Sequence, residues 1–354
     1  MITPLAKPTM PANSALAGLS SAYFGMVMAT GIMSLGAYFL RLPTIADLLF
    51  TLNIGIYGVL WALFLLRAWR HPWQFFGDMV NHSRGPGFFT MVAGSGILGS
   101  QALVLHNNYS WAWGLWGMAV TLWLVLTYAV FAALTIKASK PTLDQGINGG
   151  WLLAVVATQS IAVLSALLAR KPGPYTEALN FFALSMWLWG GMLYIWIMSL
   201  IFYRYTFFRL APADLTSPYW INMGAMAIST LVGSLLIQNA TDSSYLLSLL
   251  PFLKGFTVFY WATGTWWIPM LLVLGVWRYV YKRYPLRYEP LYWGAVFPLG
   301  MYAACTYQMA GVMSLDFLAW LPPLFFAIGL AAWGACCLGL LVQLWGRVAG
   351  FVRY

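Results

Sequence analysis

Charged side chains are scarce in this sequence. They make up only 7% of the 354 residues, while 62% of the residues are hydrophobic. A soluble domain carries about 25% charged residues, so this scarcity excludes a water-soluble globular fold. Apolar runs of about 20 residues recur along the chain, and each is long enough to cross a hydrocarbon core of about 30 Å. Because these runs are continuous and do not alternate with polar residues, we predict an all-α integral membrane protein.

Acidic residues, histidines and cysteines are rarer still, with eight, three and three copies. The acidic residues and the histidines all fall in loops or at the ends of the apolar runs. Proton-driven carriers usually keep an ionisable group inside the membrane, so its absence there favours passive, channel-like conduction. Cys305, Cys336 and Cys337 have neither zinc nor redox spacing. We therefore predict no metal and no cofactor.

Basic residues give the chain a net charge of +10, but they are dispersed among short loops. Because no basic face forms, nucleic acid is not a predicted partner. Most of the 18 Lys and Arg residues fall in alternate loops, which the positive-inside rule assigns to the cytoplasm. We predict cytoplasmic tails at 1–16 and 348–354 and a transmembrane domain at 17–347, in a plasma membrane and specifically a bacterial inner membrane. The ten predicted spans are residues 17–40, 46–66, 86–105, 111–136, 148–168, 178–203, 219–238, 255–277, 290–313 and 318–346.

Tryptophan divides the ten spans into two classes. The odd-numbered spans hold three of the 20 tryptophans, and the even-numbered spans hold most of the others. Bulky aromatic side chains suit lipid and its interfaces, whereas small and weakly polar residues suit close helix packing or a hydrated path. We predict five helical hairpins, with an inner ring of odd helices around a central pore. The candidate pore-lining residues are Thr30, Gly31, Ser34, Ser95, Gly96, Thr158, Ser229 and Thr230.

Four segments carry a family resemblance: Ser20–Ile32, Arg84–Phe89, Trp266–Pro269 and Tyr292–Leu299. Over nearly its whole length the chain resembles the tellurite-resistance/dicarboxylate transporter family. That family includes bacterial tellurite-resistance proteins, fungal malate and sulphite transporters, and plant slow anion channels. The resemblance implies ten helices in five hairpins around a central pore, and assembly as a homotrimer with one pore in each subunit.

The resemblance also implies a pore gate. In the family, a phenylalanine of helix nine projects into the pore, in a Trp-x-x-x-Phe-Pro or Phe-Gly setting that corresponds here to Trp293, Phe297 and Pro298. A phenyl ring in a narrow pore is an apolar plug that a hydrated ion cannot cross. The proline bends the helix and can aim the ring inward. Gly294 and Ala295 depart from the family pattern, in which another aromatic residue is often found.

Two functions remain open on the sequence alone, and a third is remote. The first is a gated channel or uniporter for small anions such as a C4-dicarboxylate, sulphite, tellurite, chloride or nitrate. The second is a proton-coupled carrier of a dicarboxylate or oxyanion that confers tellurite resistance. The third is a membrane-embedded enzyme, for which the best cluster is His71, Asp78 and His82 in one loop. Those three residues are more typical of a solvated interface.

Four basic residues are predicted on the outer side of the membrane: Arg41, Arg170, Lys171 and Lys254. Their weak, salt-screened field could draw anions to the mouth of the pore. Ordinary snorkelling of long basic side chains at helix ends is the simpler explanation.

Overall fold

The fold is described from a computed structural model, which covers residues 16–286 and 288–348. The predicted N-terminal tail at 1–16 and C-terminal tail at 348–354 lie almost wholly outside the described residues. The described part of the chain is helical and contains no strand. Its ten long helices are α1 (Gly25–Phe39), α2 (Pro43–Arg70), α3 (Phe89–His106), α4 (Tyr109–Ile136), α5 (Leu153–Leu168), α6 (Thr176–Phe207), α7 (Ile221–Asn239), α8 (Leu250–Val276), α9 (Trp293–Met313) and α10 (Leu321–Val348).

Nine helical segments within the described ranges are long and apolar enough to cross a membrane, and α9 is the long helix outside that set. Trp293, Pro298, Tyr302 and Gln308 lower the hydropathy of α9. The all-α membrane fold is therefore confirmed. The ninth predicted span, residues 290–313, does form a helix, and its crossing of the membrane stays a prediction.

Several helices extend beyond the spans predicted from hydropathy. Helix α2 begins at Pro43 and ends at Arg70, next to Pro72, where the predicted span was 46–66. Proline is favoured in the first turn of a helix because it has no amide hydrogen to leave unpaired. Helix α6 continues to Phe207 and includes the buried Arg204. Hydropathy underestimated both helices because their last turns carry arginine.

The odd-numbered helices form a closed inner ring. Helix α1 packs against α3, α3 against α5, α5 against α7, α7 against α9, and α9 returns to α1. Each even-numbered helix packs against the odd helix before it and the odd helix after it, and α10 completes the outer ring against α1. The spans that contain α1, α3, α5 and α7 are 72% to 94% buried, whereas the outer spans are 17% to 56% buried. This arrangement confirms the predicted hairpins and inner ring.

Each inner helix begins with the same local structure, a single 3-10 turn. These entry turns are Ser21–Phe24, Gly85–Phe88, Gly149–Leu152, Ser217–Trp220 and Pro290–Tyr292. Every one contains an aromatic residue, and three of the five contain proline. The repeat gives the five inner helices a common register, which identifies equivalent positions along the ring.

Three of the hairpins turn through a residue in the left-handed region. These residues are Arg41, Asn107 and Ser314, with φ of 60°, 51° and 56°. A left-handed residue ends a helix and redirects the chain within one or two residues. The short turns keep each outer helix beside the inner helix that precedes it.

Candidate functional site

Two cavities lie inside the inner ring, and residues from all five inner helices line both of them. We name the end where the inner helices begin the N-terminal mouth and the opposite end the C-terminal mouth. The cavity at the N-terminal mouth has a volume of about 20 Å³, and the cavity at the C-terminal mouth has a volume of about 230 Å³. Because both cavities are enclosed by the same five helices, the axis of the inner ring is the candidate path for a solute.

The lining of the wider cavity follows the register set by the entry turns. One residue of each inner helix, about four turns beyond its entry turn, borders this cavity. Together these five residues form what we call the mouth ring: Phe39, Leu103, Leu167, Leu235 and Gln308. Four members are apolar, so Gln308 is the polar exception. The mouth ring is therefore mostly apolar and carries a single side-chain amide.

Phe297 lies at the narrow cavity of the N-terminal mouth. Its side chain is only 1% exposed, and it borders the cavity together with Met28 from α1 and Ile221 from α7. The cavity volume of about 20 Å³ is just above the volume of about 10–15 Å³ that a cavity needs to hold one water molecule. At the level of Phe297 the axis therefore has room for about one water molecule and none for a hydrated ion.

The other two residues predicted for the gate flank Phe297 on α9. Pro298 packs against Gly224 of α7, where an added Cβ would lie 2.7 Å from Pro298 Cγ. Trp293 is fully buried and donates a hydrogen bond from Nε1 to Tyr288 Oη at 3.1 Å. Trp293 borders the same narrow cavity as Phe297. The structure thus brings the predicted residues to one mouth, and their gating role stays a prediction.

Three of the predicted pore-lining residues form hydrogen bonds with the outer ring. Thr30 Oγ1 accepts from Trp333 Nε1 at 3.0 Å, and Thr158 Oγ1 accepts from Trp123 Nε1 at 2.8 Å. Ser95 Oγ lies 2.8 Å from the hydroxyl of Tyr57. Each contact joins an outer helix to the inner helix that follows it around the ring.

The same contact recurs on the two remaining inner helices. Trp187 Nε1 of α6 donates to the backbone carbonyl of Ser229 at 2.7 Å. Trp261 Nε1 of α8 donates to Thr306 Oγ1 at 3.0 Å. We call the five contacts the inter-ring belt. They show that an outer-ring aromatic side chain can point inward, since Trp187 is fully buried, which differs from the expectation that these side chains face lipid.

The other predicted pore-lining residues donate to backbone carbonyls or lie where helices approach closely. Ser34 donates to the carbonyl of Ala46 at 2.8 Å, and Thr230 donates to that of Met226 at 2.9 Å. A Cβ at Gly31 would overlap Ile97, and a Cβ at Gly96 would lie 3.0 Å from Ser160 Oγ. None of the eight borders either axial cavity. Their assignment to the pore stays a prediction.

The residues that sequence reasoning missed lie at the C-terminal mouth. Ser100, Asn107 and Gln308 border the wide cavity, as does Arg170, which was considered only as a basic residue of the outer side. The polarity of these side chains alone did not indicate that they border the cavity. The register of the entry turns is the signal that could have identified Gln308, because it places this residue on the same face of its helix as the ring leucines.

Arg170 is the cation of the wide cavity. It follows the last residues of α5, and its guanidinium donates a hydrogen bond to Gln238 Oε1. Burial lowers the pKa of Arg170, and Tyr109 partly opposes that shift, but a guanidinium remains charged in proteins. Among the described residues, no carboxylate forms an ion pair with Arg170.

A buried arginine lies at the opposite end of the molecule, on the outer helix α2. Arg67 is fully buried and forms an ion pair with Asp78 at 2.6 Å, and Arg84 approaches the same carboxylate at 3.1 Å. The carboxylate of the His71, Asp78 and His82 cluster is therefore held by two arginines. Burial, and then the charges of two nearby lysines, lower the pKa of His82. Over residues 16–286 and 288–348, no group of three or more His, Cys, Asp or Glu residues could hold a metal ion.

A closed ring of inner helices, sheathed by an outer ring and hollow at both ends, defines a membrane protein of the pore-forming type. A profile of the SLAC1 family, described as voltage-dependent anion channel, matches residues 18–341, and the chain belongs to this family. The family resemblance inferred from the four sequence segments is thereby confirmed. The match covers nearly the whole chain, including both mouths and the helix that carries Phe297.

Similar proteins occur in bacteria and archaea. An uncharacterized membrane protein of Mycobacterium tuberculosis is 42% identical over 117 residues, which are 33% of this chain and 59% of that protein. The chain thus spans less than two thirds of that relative. Two uncharacterized transporters of Methanocaldococcus jannaschii are each 26% identical, over 86% and 87% of this chain and 90% of theirs.

Proposed function

We propose that this protein conducts small anions passively along the axis of the inner ring, and that Phe297 closes the path in the state described here. The observation that carries the proposal is the narrow axial cavity at Phe297, which has room for about one water molecule and none for a hydrated ion. An ion cannot shed its hydration shell in an apolar constriction without a large cost in free energy. Movement of the phenyl ring would remove that barrier.

The lining of the axis favours anions over cations. No acidic side chain borders either axial cavity in the described part of the chain, so a permeating anion meets no like charge. Arg170 supplies a positive charge at the C-terminal mouth. A neutral lining with one peripheral cation binds an anion weakly, and weak binding permits rapid release.

Substrate, orientation and assembly belong to the same proposal. The candidate substrates are chloride, nitrate, sulphite, tellurite and C4-dicarboxylates. We place both termini and the N-terminal mouth on the cytoplasmic side of a bacterial inner membrane, on the strength of the positive-inside rule. A homotrimer fits the exposed aromatic residues of the outer helices, such as Trp69, Trp196 and Trp266. The mass of the purified protein in nanodiscs tests this, because a monomeric mass would refute the trimer.

The experiment compares wild type with Phe297→Ala in planar bilayers and liposomes under gradients of chloride, nitrate, sulphite and malate. We expect larger currents in Phe297→Ala that reverse at the Nernst potential of the anion. Phe297→Leu should give an intermediate conductance, because leucine is apolar but smaller. Phe64→Ala is the matched control, since Phe64 is equally buried but borders neither axial cavity.

Two results would refute parts of the proposal. Unchanged conductance in Phe297→Ala, at equal protein incorporation, would refute the gate. Electrically silent, saturable flux of one anion that a pH gradient drives uphill would replace the channel with a proton-coupled carrier. In that case the buried polar residues of the inner helices, and not Phe297, would become the focus of mutagenesis.

A further inference from the structure

Three recesses meet at the C-terminal mouth. The axial cavity of about 230 Å³ shares Arg170 with a recess of about 560 Å³ beyond α5 and α6, and shares Gln308 with a recess of about 700 Å³ beside the start of α10. Gln238 borders both of the outer recesses. One guanidinium and two side-chain amides therefore stand at the junction through which a solute enters the axis.

The hydrogen-bonding capacity of this junction is only partly used. Arg170 donates to Gln238 Oε1, which leaves other N–H groups of its five-donor fork available. The Gln308 side chain forms no hydrogen bond with any described residue, although Gln308 is only partly exposed. Fixed N–H donors around one cation are the groups that bind a small anion, and the planar fork of arginine suits nitrate or a carboxylate.

The neighbouring charges favour the axial side of Arg170. Glu177 and Asp242 border the recess beyond α5 and α6, and Asp316 borders the recess beside α10, whereas the axial cavity has no acidic side chain. The ammonium of Lys171 lies 4.8 Å from the ring centre of Tyr109, a residue of the axial wall. An anion is thus repelled from the two outer recesses and attracted into the axial one.

We infer that the C-terminal mouth contains a binding site for one small anion, with Arg170 as its charge and the Gln308 amide as a second donor. The inference rests on the proposed function, since it describes where a permeating anion first exchanges water for protein donors. The other four members of the mouth ring, Phe39, Leu103, Leu167 and Leu235, are apolar. Partial dehydration at Arg170 and Gln308 therefore precedes passage along the dry wall.

The site predicts a concentration dependence of conductance. In a Phe297→Ala background, which provides a measurable current, Arg170→Gln should raise the half-saturating nitrate concentration by about three- to tenfold, as expected for the loss of a partly exposed charged hydrogen bond. Currents at saturating nitrate should change little. Arg170→Lys keeps the charge but loses the fork, so it should restore chloride conductance better than nitrate conductance.

Lys254→Gln is the matched control, because Lys254 is an exposed basic residue at the start of α8 and borders none of the three recesses. An equal shift in Lys254→Gln would show that general surface charge, and not a site, concentrates the anion. Gln308→Leu should also raise the half-saturating nitrate concentration without changing the net charge. The inference would be overturned if the half-saturating nitrate concentration stayed unchanged in Arg170→Gln or in Gln308→Leu.

A second measurement separates this site from the proposed conduction. Nitrate at constant ionic strength should raise the thermal unfolding midpoint of the purified wild-type protein, and the rise should be lost in Arg170→Gln. If the Phe297→Ala protein carries no anion current but nitrate still stabilises it through Arg170, the proposed function fails and the site stands. If the current is present but nitrate does not raise the unfolding midpoint, or raises it equally in Arg170→Gln, the site fails and the proposed function stands.

Discussion

Removing the acceptor of an inter-ring hydrogen bond should destabilise the protein more than removing the donor. At the contact between α4 and α5, Trp123 Nε1 donates to Thr158 Oγ1 at 2.8 Å, and Thr158 Oγ1 also donates to the carbonyl of Ala154 at 2.9 Å. Thr158→Val leaves the indole N–H without an acceptor, which costs about 1–3 kcal/mol. Trp123→Phe leaves the threonine hydroxyl paired with Ala154, so the hydrogen-bond term is about 0.5–1 kcal/mol.

A double-mutant cycle isolates this contact from the packing lost when an indole becomes a phenyl ring. We expect a coupling free energy of about 0.6–1.7 kcal/mol between Trp123→Phe and Thr158→Val, because polar contacts between membrane helices average about 0.6 and reach about 1.7 kcal/mol. The assay is reversible unfolding in mixed micelles, with the free energy extrapolated to native conditions. Trp113→Phe serves as the control, because Trp113 lies on the same helix but forms no hydrogen bond with any described residue.

A coupling below about 0.3 kcal/mol, the usual error of additivity, would refute the reasoning. It would mean that water or another acceptor replaces the threonine without loss. If the value holds for all five contacts of the inter-ring belt, the belt contributes about 3–8 kcal/mol to the association of the two rings. That sum is a large part of the 5–15 kcal/mol by which proteins are usually stable.

Two further substitutions test the packing and the buried charge. Gly233→Ala places a Cβ against Thr257 Oγ1, so it should destabilise the protein by about 1–3 kcal/mol in the same unfolding assay; Gly275→Ala, where nothing lies within 4 Å of the added Cβ, should be neutral. Asp78→Asn leaves the buried guanidinium of Arg67 without its carboxylate and should cost about 3–5 kcal/mol. Adding Arg67→Met to that variant should recover most of the loss, and a double variant no more stable than Asp78→Asn would contradict this.

The fold was predictable because hydropathy and lipid impose few alternatives. Continuous apolar runs fixed the number of long helices, and the placement of tryptophan separated the outer helices from the inner ones. The ends of α2 and α6 were not predictable from hydropathy, because Arg67 and Arg204 lie within the helices and are buried by partners distant in sequence. A hydropathy profile places the end of a span at an arginine, whereas the helix continues through an arginine whose side chain is paired.

The candidate site was less predictable, because polarity does not specify which face of a helix a residue occupies. Thr30 and Thr158 are hydroxyl residues of inner helices, as a hydrated path requires, yet their oxygens accept hydrogen bonds from outer-ring tryptophans. The face depends on register, and register was encoded in the entry turns and not in the polar residues. Phe297 was identified through family resemblance, since its chemistry alone does not distinguish it among 22 phenylalanines.

The inter-ring belt and the proposed conduction path are linked by the same hydrogen bonds. A hydroxyl that accepts from an outer-ring tryptophan is turned away from the axis, which leaves the axial wall to apolar residues such as Leu167 and Leu235. A wall of that kind offers an ion no deep binding site within the membrane, so recognition of the anion is confined to the mouths. Selectivity should therefore change with Arg170 and Gln308, and conductance should change with Phe297. A protein that separates these two properties can be tuned for a different anion at the C-terminal mouth without disturbing the closure at the N-terminal mouth.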